Sequence, residues 1–338
     1  MDWKNEKAIV FGGGGFLGRN IIEQLAALGC GAIKTFGRSP QPELQKMGVE
    51  VICGDIRNPD AVREAGAGST IIFHTAAKAG FWGTRKEYYE INTLGTANVI
   101  AAAKTNDISR LVYTSSPSVA YRGSENIEDG NESLPFPDKY LAFYPETKAL
   151  AEKMVREAAS GDFGTVSLRP HLIWGKGDPH LLPRIIRKAA AGKLMIVGDG
   201  SNMVDLTHVA NAALAHVKAA EVLTARRELV SGKVYFVSDG APVRLWDWLN
   251  SLFERCGVPP LKRNISYKAA YGAGALMEMI YRVLRLQGEP PMTRFLAGQL
   301  SHSHYFDISA AGRELGYAPS VDMEDALSET ADYLRSIL

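Results

Sequence analysis

Short apolar runs alternate with stretches whose apolar residues recur at helical spacing over the first half of the chain. Ala8 to Phe11 is the first run. It breaks into four consecutive glycines and resumes as a helix with Ile21, Ile22 and Leu25 on one face. Ile33–Phe36, Val49–Ile52, Thr70–His74, Leu111–Thr114 and Thr165–Arg169 repeat the β-rich pattern. A helix carrying Tyr88, Ile91, Asn92, Leu94 and Gly95 precedes the fifth of these runs. Such alternation predicts a parallel sheet covered by helices on both faces.

The second half changes character. Trp174–Pro179, Gly198-Asp199-Gly200 and Asp239-Gly240 are loop-forming clusters between short elements. His208 to Leu223 predicts a helix, and Val234 to Val237 a late strand. Residues 121–142, rich in Gly, Asn, Glu and Pro, read as a loop or flap. Between about Tyr267 and Leu286, an apolar stripe of Leu276, Met279, Ile280, Val283 and Leu284 opposes Glu278, Arg282 and Arg285. The simplest destination of such a stripe is a core. A substrate lid, a dimer surface or a helix lying on a membrane surface are the alternatives.

The glycines give the pattern its first chemistry. Gly12, Gly15 and Gly18 stand at G-x-x-G-x-x-G spacing between a strand and a helix. In a dinucleotide site the first makes the tight turn, the second admits a pyrophosphate and the third lets helix and strand pack closely. The predicted fold class is therefore α/β, a Rossmann doubly wound parallel sheet with a smaller C-terminal substrate-binding lobe. The boundaries are placed at residues 1–174 and 175–338, with some later segments returning to the sheet.

No Asp or Glu lies between Ile33 and Gln41, where an NAD site places an acid for the ribose 2′-hydroxyl. Arg38 stands there instead, suited to a 2′-phosphate, which favours NADP(H) over NAD(H). A solvated loop arginine is the alternative.

Composition narrows the classes. A formal net charge of +1 across 338 residues argues against a nucleic-acid partner. Cys30, Cys53 and Cys256 show no metal or redox spacing, as in a reducing cytosol. Neither a signal peptide nor a membrane span is expected, so the predicted location is cytoplasmic, with peripheral membrane contact open through the 267–286 segment. His74, His171, His180, His208, His216, His302 and His304 form no metal-binding spacing, so no metal is predicted. The G-x-S-x-G elbow of serine hydrolases is missing.

Tyr144 and Lys148 are one helical turn apart, with Pro145 between them opening an Ala-rich helix. A neighbouring ammonium and a helix N-terminus both favour a phenolate, so Lys148 is expected to depress the pKa of Tyr144. Ser116, at the end of the fifth strand, is placed to hydrogen-bond the same substrate oxygen.

With these residues the chain resembles the extended short-chain dehydrogenase/reductase family. The resemblance rests on the glycine turn, Asp55, His74-Thr75-Ala76-Ala77, Asn92, Ser115-Ser116, Tyr144-x-x-x-Lys148 and Leu168-Arg169-Pro170. Tyr113–Ser116, Arg169-Pro170 through Gly175 and the late helix resemble its 3β-hydroxysteroid dehydrogenase branch. Lys78–Gly83 and Ser115–Val119 resemble the members that reduce 2-alkyl-3-oxo acids in bacterial long-chain olefin synthesis.

The resemblance implies catalysis by Ser116, Tyr144 and Lys148. It implies a cofactor site of Gly12, Gly15, Phe16, Leu17, Gly18, Arg38, Asp55, Ile56, Ala76 and Lys78, completed by Tyr144 and Lys148. Phe81, Trp82, Ser116, Pro117, Ser118 and His171 are the implied substrate residues. The expected reaction is reduction of a long-chain 2-alkyl-3-oxoalkanoate, a bulky apolar small molecule. A 3β-hydroxysteroid dehydrogenase and an NAD-dependent nucleotide-sugar epimerase or dehydratase are the alternatives. A homodimer is implied, and partner enzymes of the same pathway remain open.

Overall fold

The computed structural model describes residues 1–179 and 181–338; His180 lies outside the described residues. Seven strands form the main sheet: β1 (Lys7–Phe11), β2 (Ala32–Gly37), β3 (Glu50–Cys53), β4 (Ile71–His74), β5 (Arg110–Thr114), β6 (Gly164–Pro170) and β7 (Lys233–Val237). Their spatial order is β7-β6-β5-β4-β1-β2-β3, and all pairings are parallel. Strand order reverses between β1 and β4, which opens a crevice at their carboxyl ends.

The two-residue period of each strand divides its side chains between two cores. Val10, Phe73 and Val112 point to one face, against Ile21, Ile22 and Leu25 and the alanine-rich helix Val209–Ala225. Ile9, Phe11, Ile72, Leu111 and Tyr113 point to the other, against Val62, Val99, Ala103 and Val155. Both faces are covered, so the central strands are mainly apolar and their polar residues, such as His74, Ser167 and Arg169, are buried too. The fold is the α/β doubly wound Rossmann sheet that the sequence predicts.

A third core is built around Trp174, Leu182, Trp246, Leu249, Phe253 and Leu327, from the second half of the chain. A four-stranded sheet lies beside it, ordered Val243–Arg244, Met203–Val204, His304–Phe306, Ile127–Gly130. Part of the predicted 121–142 loop is therefore a strand, paired with His304–Phe306 and held by the Asp307 N–H donating to the Gly130 carbonyl at 2.9 Å. Turn-rich composition concealed it because only distant residues supply its partner strand.

The helix Tyr267–Val283 does not bury its apolar stripe in a core of this chain, which removes the simplest of the readings given for it. Leu276, Met279 and Val283 are 53%, 56% and 73% exposed, and Glu278, predicted on the solvent side, is buried. The inward positions are Ala270, Gly274 and Glu278, four residues apart. Small residues let this helix approach the Arg294–Ser301 helix closely: a Cβ on Gly274 would come within 2.7 Å of the Thr293 carbonyl carbon. Glu278 then accepts from the Arg294 backbone N–H at 2.8 Å and from its guanidinium at 2.8 Å. A specific ion pair and close backbone contact outweigh the burial of the larger apolar face. Among the described residues, no helix is long and apolar enough to cross a membrane.

Candidate active site

β1 ends in a turn that only glycine makes without strain. Gly12 has φ +95°, and a Cβ there would lie 2.7 Å from the Ala76 nitrogen. A Cβ on Gly18 would lie 2.3 Å from the Gly12 carbonyl oxygen, so helix and turn pack backbone to backbone. Gly15 is the N-cap of the helix Phe16–Ala27 and has no side chain to cap it. The N–H groups of the first turn, including those of Phe16, Leu17 and Gly18, thus lack intrahelical acceptors, and they carry the positive end of the helix dipole.

A cavity of about 420 Å³ lies beside this turn. Gly12, Gly15, Ala76 and Lys78 line one part of it, and Arg38, Asp55 and Ile56 another. Phe16, Leu17 and Gly18 do not line it: Leu17 is in the core and Phe16 packs against it, which leaves their backbone as the available ligand. Gly14, Thr35 and Gln41 also line it, unforeseen from the sequence. Arg38 is exposed and makes no ion pair among the described residues. The Asp55 carboxyl is held below its usual range chiefly by its hydrogen bond to Arg57, at 2.7 Å, with the charge of Arg38 contributing.

This cavity fits a dinucleotide. Its glycine turn admits a close-lying phosphate, its helix start offers free N–H groups, and Arg38 adds an exposed cation to its lining.

Asn92 ties the cavity wall to the helix Phe143–Glu157. It accepts from the Lys78 N–H at 2.7 Å and donates to Thr147 Oγ1 at 3.1 Å. It does so from a π-helical turn, Tyr89–Leu94, which locally re-aims the side chain.

The helix Phe143–Glu157 begins just before Tyr144, and Pro145 sits in the first turn, where its missing N–H costs nothing. Tyr144, Lys148 and Glu152 follow at steps of four along one face. Lys148 Nζ donates to the Thr114 carbonyl at 2.5 Å and lies 4.2 Å from the Tyr113 ring centre. Burial pulls its pKa down to about 7, against a smaller upward pull from Glu152.

The structure reverses the expected sign at Tyr144. Burial raises its phenol above the usual value, and the Ser116 hydroxyl opposes this by a smaller amount. One side of the ring faces a cavity, yet protein surrounds the rest densely. Lys148 does not lower it, because the amine is itself desolvated and directed at the Thr114 carbonyl.

Ser116 caps the short turn Pro117–Ala120, accepting from the Ser118 N–H at 3.2 Å and lying 2.8 Å from the Ser118 hydroxyl. Ser116 and Tyr144 share a cavity of about 300 Å³ with Phe81, Pro117, Ser118 and His171. Trp82 is turned away into a neighbouring cavity. His171 Nε2 meets His304 Nδ1 at 2.7 Å in a stacked pair, and burial keeps both imidazoles well below their usual pKa.

Sequence reasoning missed one residue that positions this helix. Glu152 accepts from the Ser115 hydroxyl at 2.6 Å and grips Arg169 at 2.6 and 2.9 Å, which fixes the end of β5 beside the helix. Its signal is the same four-residue step that links Tyr144 to Lys148. No group of three or more His, Cys, Asp or Glu among the described residues is arranged to hold a metal ion.

An open Rossmann sheet, a glycine-turn dinucleotide cavity and an adjoining Ser–Tyr–Lys set define an NAD(P)-dependent oxidoreductase of the extended short-chain dehydrogenase/reductase type. Within that class the chain belongs to the 3-beta hydroxysteroid dehydrogenase/isomerase family, which residues 9–267 match. It is 46% identical over 322 residues to the 2-alkyl-3-oxoalkanoate reductase of Stenotrophomonas maltophilia, covering 95% of this chain and 97% of that one. It is 32% identical over 337 residues to the human sterol-4-alpha-carboxylate 3-dehydrogenase, decarboxylating, covering 98% and 89%. The structure of MoeE5 in complex with UDP-glucose and NAD superposes with a TM-score of 0.74 at 22% identity, over 98% and 99% of the two chains. That last likeness is one of fold.

Proposed function

We propose that this chain reduces the ketone of a long-chain 2-alkyl-3-oxoalkanoate to the 2-alkyl-3-hydroxyalkanoate, with NADP(H) as cofactor. The observation that carries the substrate reading is the setting of Ser116 and Tyr144: a cavity walled largely by Phe81, Pro117, Leu172, Leu181 and Phe295. Mostly apolar walls with a few polar groups among them suit a ketone on a hydrocarbon frame. The name of the Stenotrophomonas relative supports the same reading.

The nicotinamide, when bound, supplies the hydride. Gly12, Gly15 and the helix-start N–H groups would hold its pyrophosphate, and Arg38 the 2′-phosphate. Ser116 Oγ donates a hydrogen bond to the carbonyl oxygen. Tyr144 Oη delivers its proton to that oxygen as negative charge develops there. The raised pKa of Tyr144 serves this direction, since the phenol is protonated at neutral pH. Lys148, one helical turn further on and with a pKa of about 7, can exchange a proton near neutral pH.

The test is parallel oxidation of NADPH and NADH with a long-chain 2-alkyl-3-oxo acid, with 3β-hydroxysteroids assayed in reverse. Faster NADPH turnover on the keto acid is the expected result, and Arg38→Ala should erase that preference. Turnover confined to steroids would overturn the substrate reading, and tightly bound NAD with no ketone reduction would favour a sugar epimerase.

A further inference from the structure

Two cavities meet beside the 79–83 loop. One, of about 300 Å³, holds Ser116 and Tyr144; the other, of about 190 Å³, lies in the third core. Phe81, Leu172, Leu181, Gln299 and His304 line both, so these side chains form the partition between them. Four of the chain's five tryptophans, Trp82, Trp174, Trp246 and Trp248, line the second cavity. Its charged lining is Arg184, Lys188 and Glu289, and Arg184 pairs with Glu289. Those two side chains are 47% and 34% exposed, which marks the solvent end. Away from it the wall is almost wholly hydrocarbon and indole.

We propose that the tryptophan-walled cavity receives one alkyl branch of a ketone whose carbonyl lies at Ser116 and Tyr144, and that its depth sets the longest branch accepted. The proposal rests on the ketone-reductase reading and adds to it a subsite and its length rule. A branched ketone suits two cavities that share a partition, because a flexible chain passes between side chains where a fused ring system does not. An apolar cavity of ~150 Å³ takes up a benzene-sized guest. A cavity of about 190 Å³ therefore matches a branch of roughly six to eight carbons.

The tryptophans are not equally fixed. Trp246 Nε1 donates to the Leu300 carbonyl at 3.2 Å, and Trp174 Nε1 donates to Asp239 at 3.3 Å. Trp248 packs edge-to-face on Trp174 at 5.1 Å, and its Nε1 has no partner among the described residues. Trp248→Phe thus deepens the cavity without breaking a hydrogen bond. Leu249→Phe, from the same helix, makes it shallower.

Both variants and the parent protein, checked for cooperative thermal melting, are assayed with 3-oxo acids whose 2-alkyl branch runs from ethyl to tetradecyl. In parallel, straight-chain 1-alkanols of the same lengths are titrated against tryptophan fluorescence, a readout that needs no redox chemistry. The expected result is a rise in kcat/KM of about fourfold per methylene up to a cutoff near octyl. The cutoff should move to shorter branches in Leu249→Phe and to longer ones in Trp248→Phe, with the alkanol affinities following it. If Leu249→Phe does not fold, the sign of the Trp248→Phe shift decides alone. An unchanged cutoff with ketone reduction intact overturns the subsite and leaves the reductase reading standing. Alkanol affinities that shift as predicted, without ketone reduction, support the subsite and overturn the reductase reading.

Discussion

The Glu152 carboxylate and the Arg169 guanidinium form a two-pronged ion pair, 2.6 and 2.9 Å, with side chains 0% and 1% exposed. It joins the helix Phe143–Glu157 to β6. Removing one partner strands the other charge out of water, which costs about 3–5 kcal/mol. Glu152→Gln should therefore destabilise the fold by several kcal/mol in urea titrations. A loss below about 1 kcal/mol would show that Arg169 finds another anion or reaches solvent.

Lys148 links stability to pH. Its folded-state pKa of about 7 lies below the ordinary 10.5, so between those values the unfolded chain holds a proton that the folded chain has lost. Stability should rise with pH across that window, while the burial penalty is fully present below pH 7. Between pH 7 and pH 9 the gain should be about 2 kcal/mol relative to Lys148→Met, which lacks the titrating group. Equal slopes for the two proteins would place the Lys148 pKa near its ordinary value.

Tyr144→Phe keeps the ring and removes the proton donor. Turnover should fall by about 10²–10⁴-fold, with dinucleotide affinity retained in a fluorescence titration. Ser116→Ala should cost less, since Tyr144 can still protonate the oxygen. Full activity in Tyr144→Phe would move the acid role to another group.

The Tyr267–Val283 helix should respond against its hydropathy. Val283→Ser, at 73% exposure, should change stability by less than about 0.5 kcal/mol. Glu278→Ala removes the carboxylate that accepts from both the Arg294 backbone and its guanidinium, and should cost about 2–3 kcal/mol. The opposite ranking in chemical denaturation would mean that the apolar stripe is the packed face.

The sequence by itself determined the doubly wound sheet. Strand and helix periods record which side chains each element buries, and Val10 and Phe11 point to opposite cores as alternation requires. It also determined the glycine turn and the Tyr144–Lys148 step, because both are local geometry. Only the tertiary structure decided what each group faces. The Lys148 amine turns to Thr114, burial raises rather than lowers the Tyr144 phenol, and Glu278 goes inward while Val283 stays out. Tryptophans far apart in the chain meet around one cavity, and Ile127–Gly130 finds its partner strand near the C-terminus. Burial, dielectric environment and partner choice depend on contacts between distant segments, and no local pattern of residues encodes them.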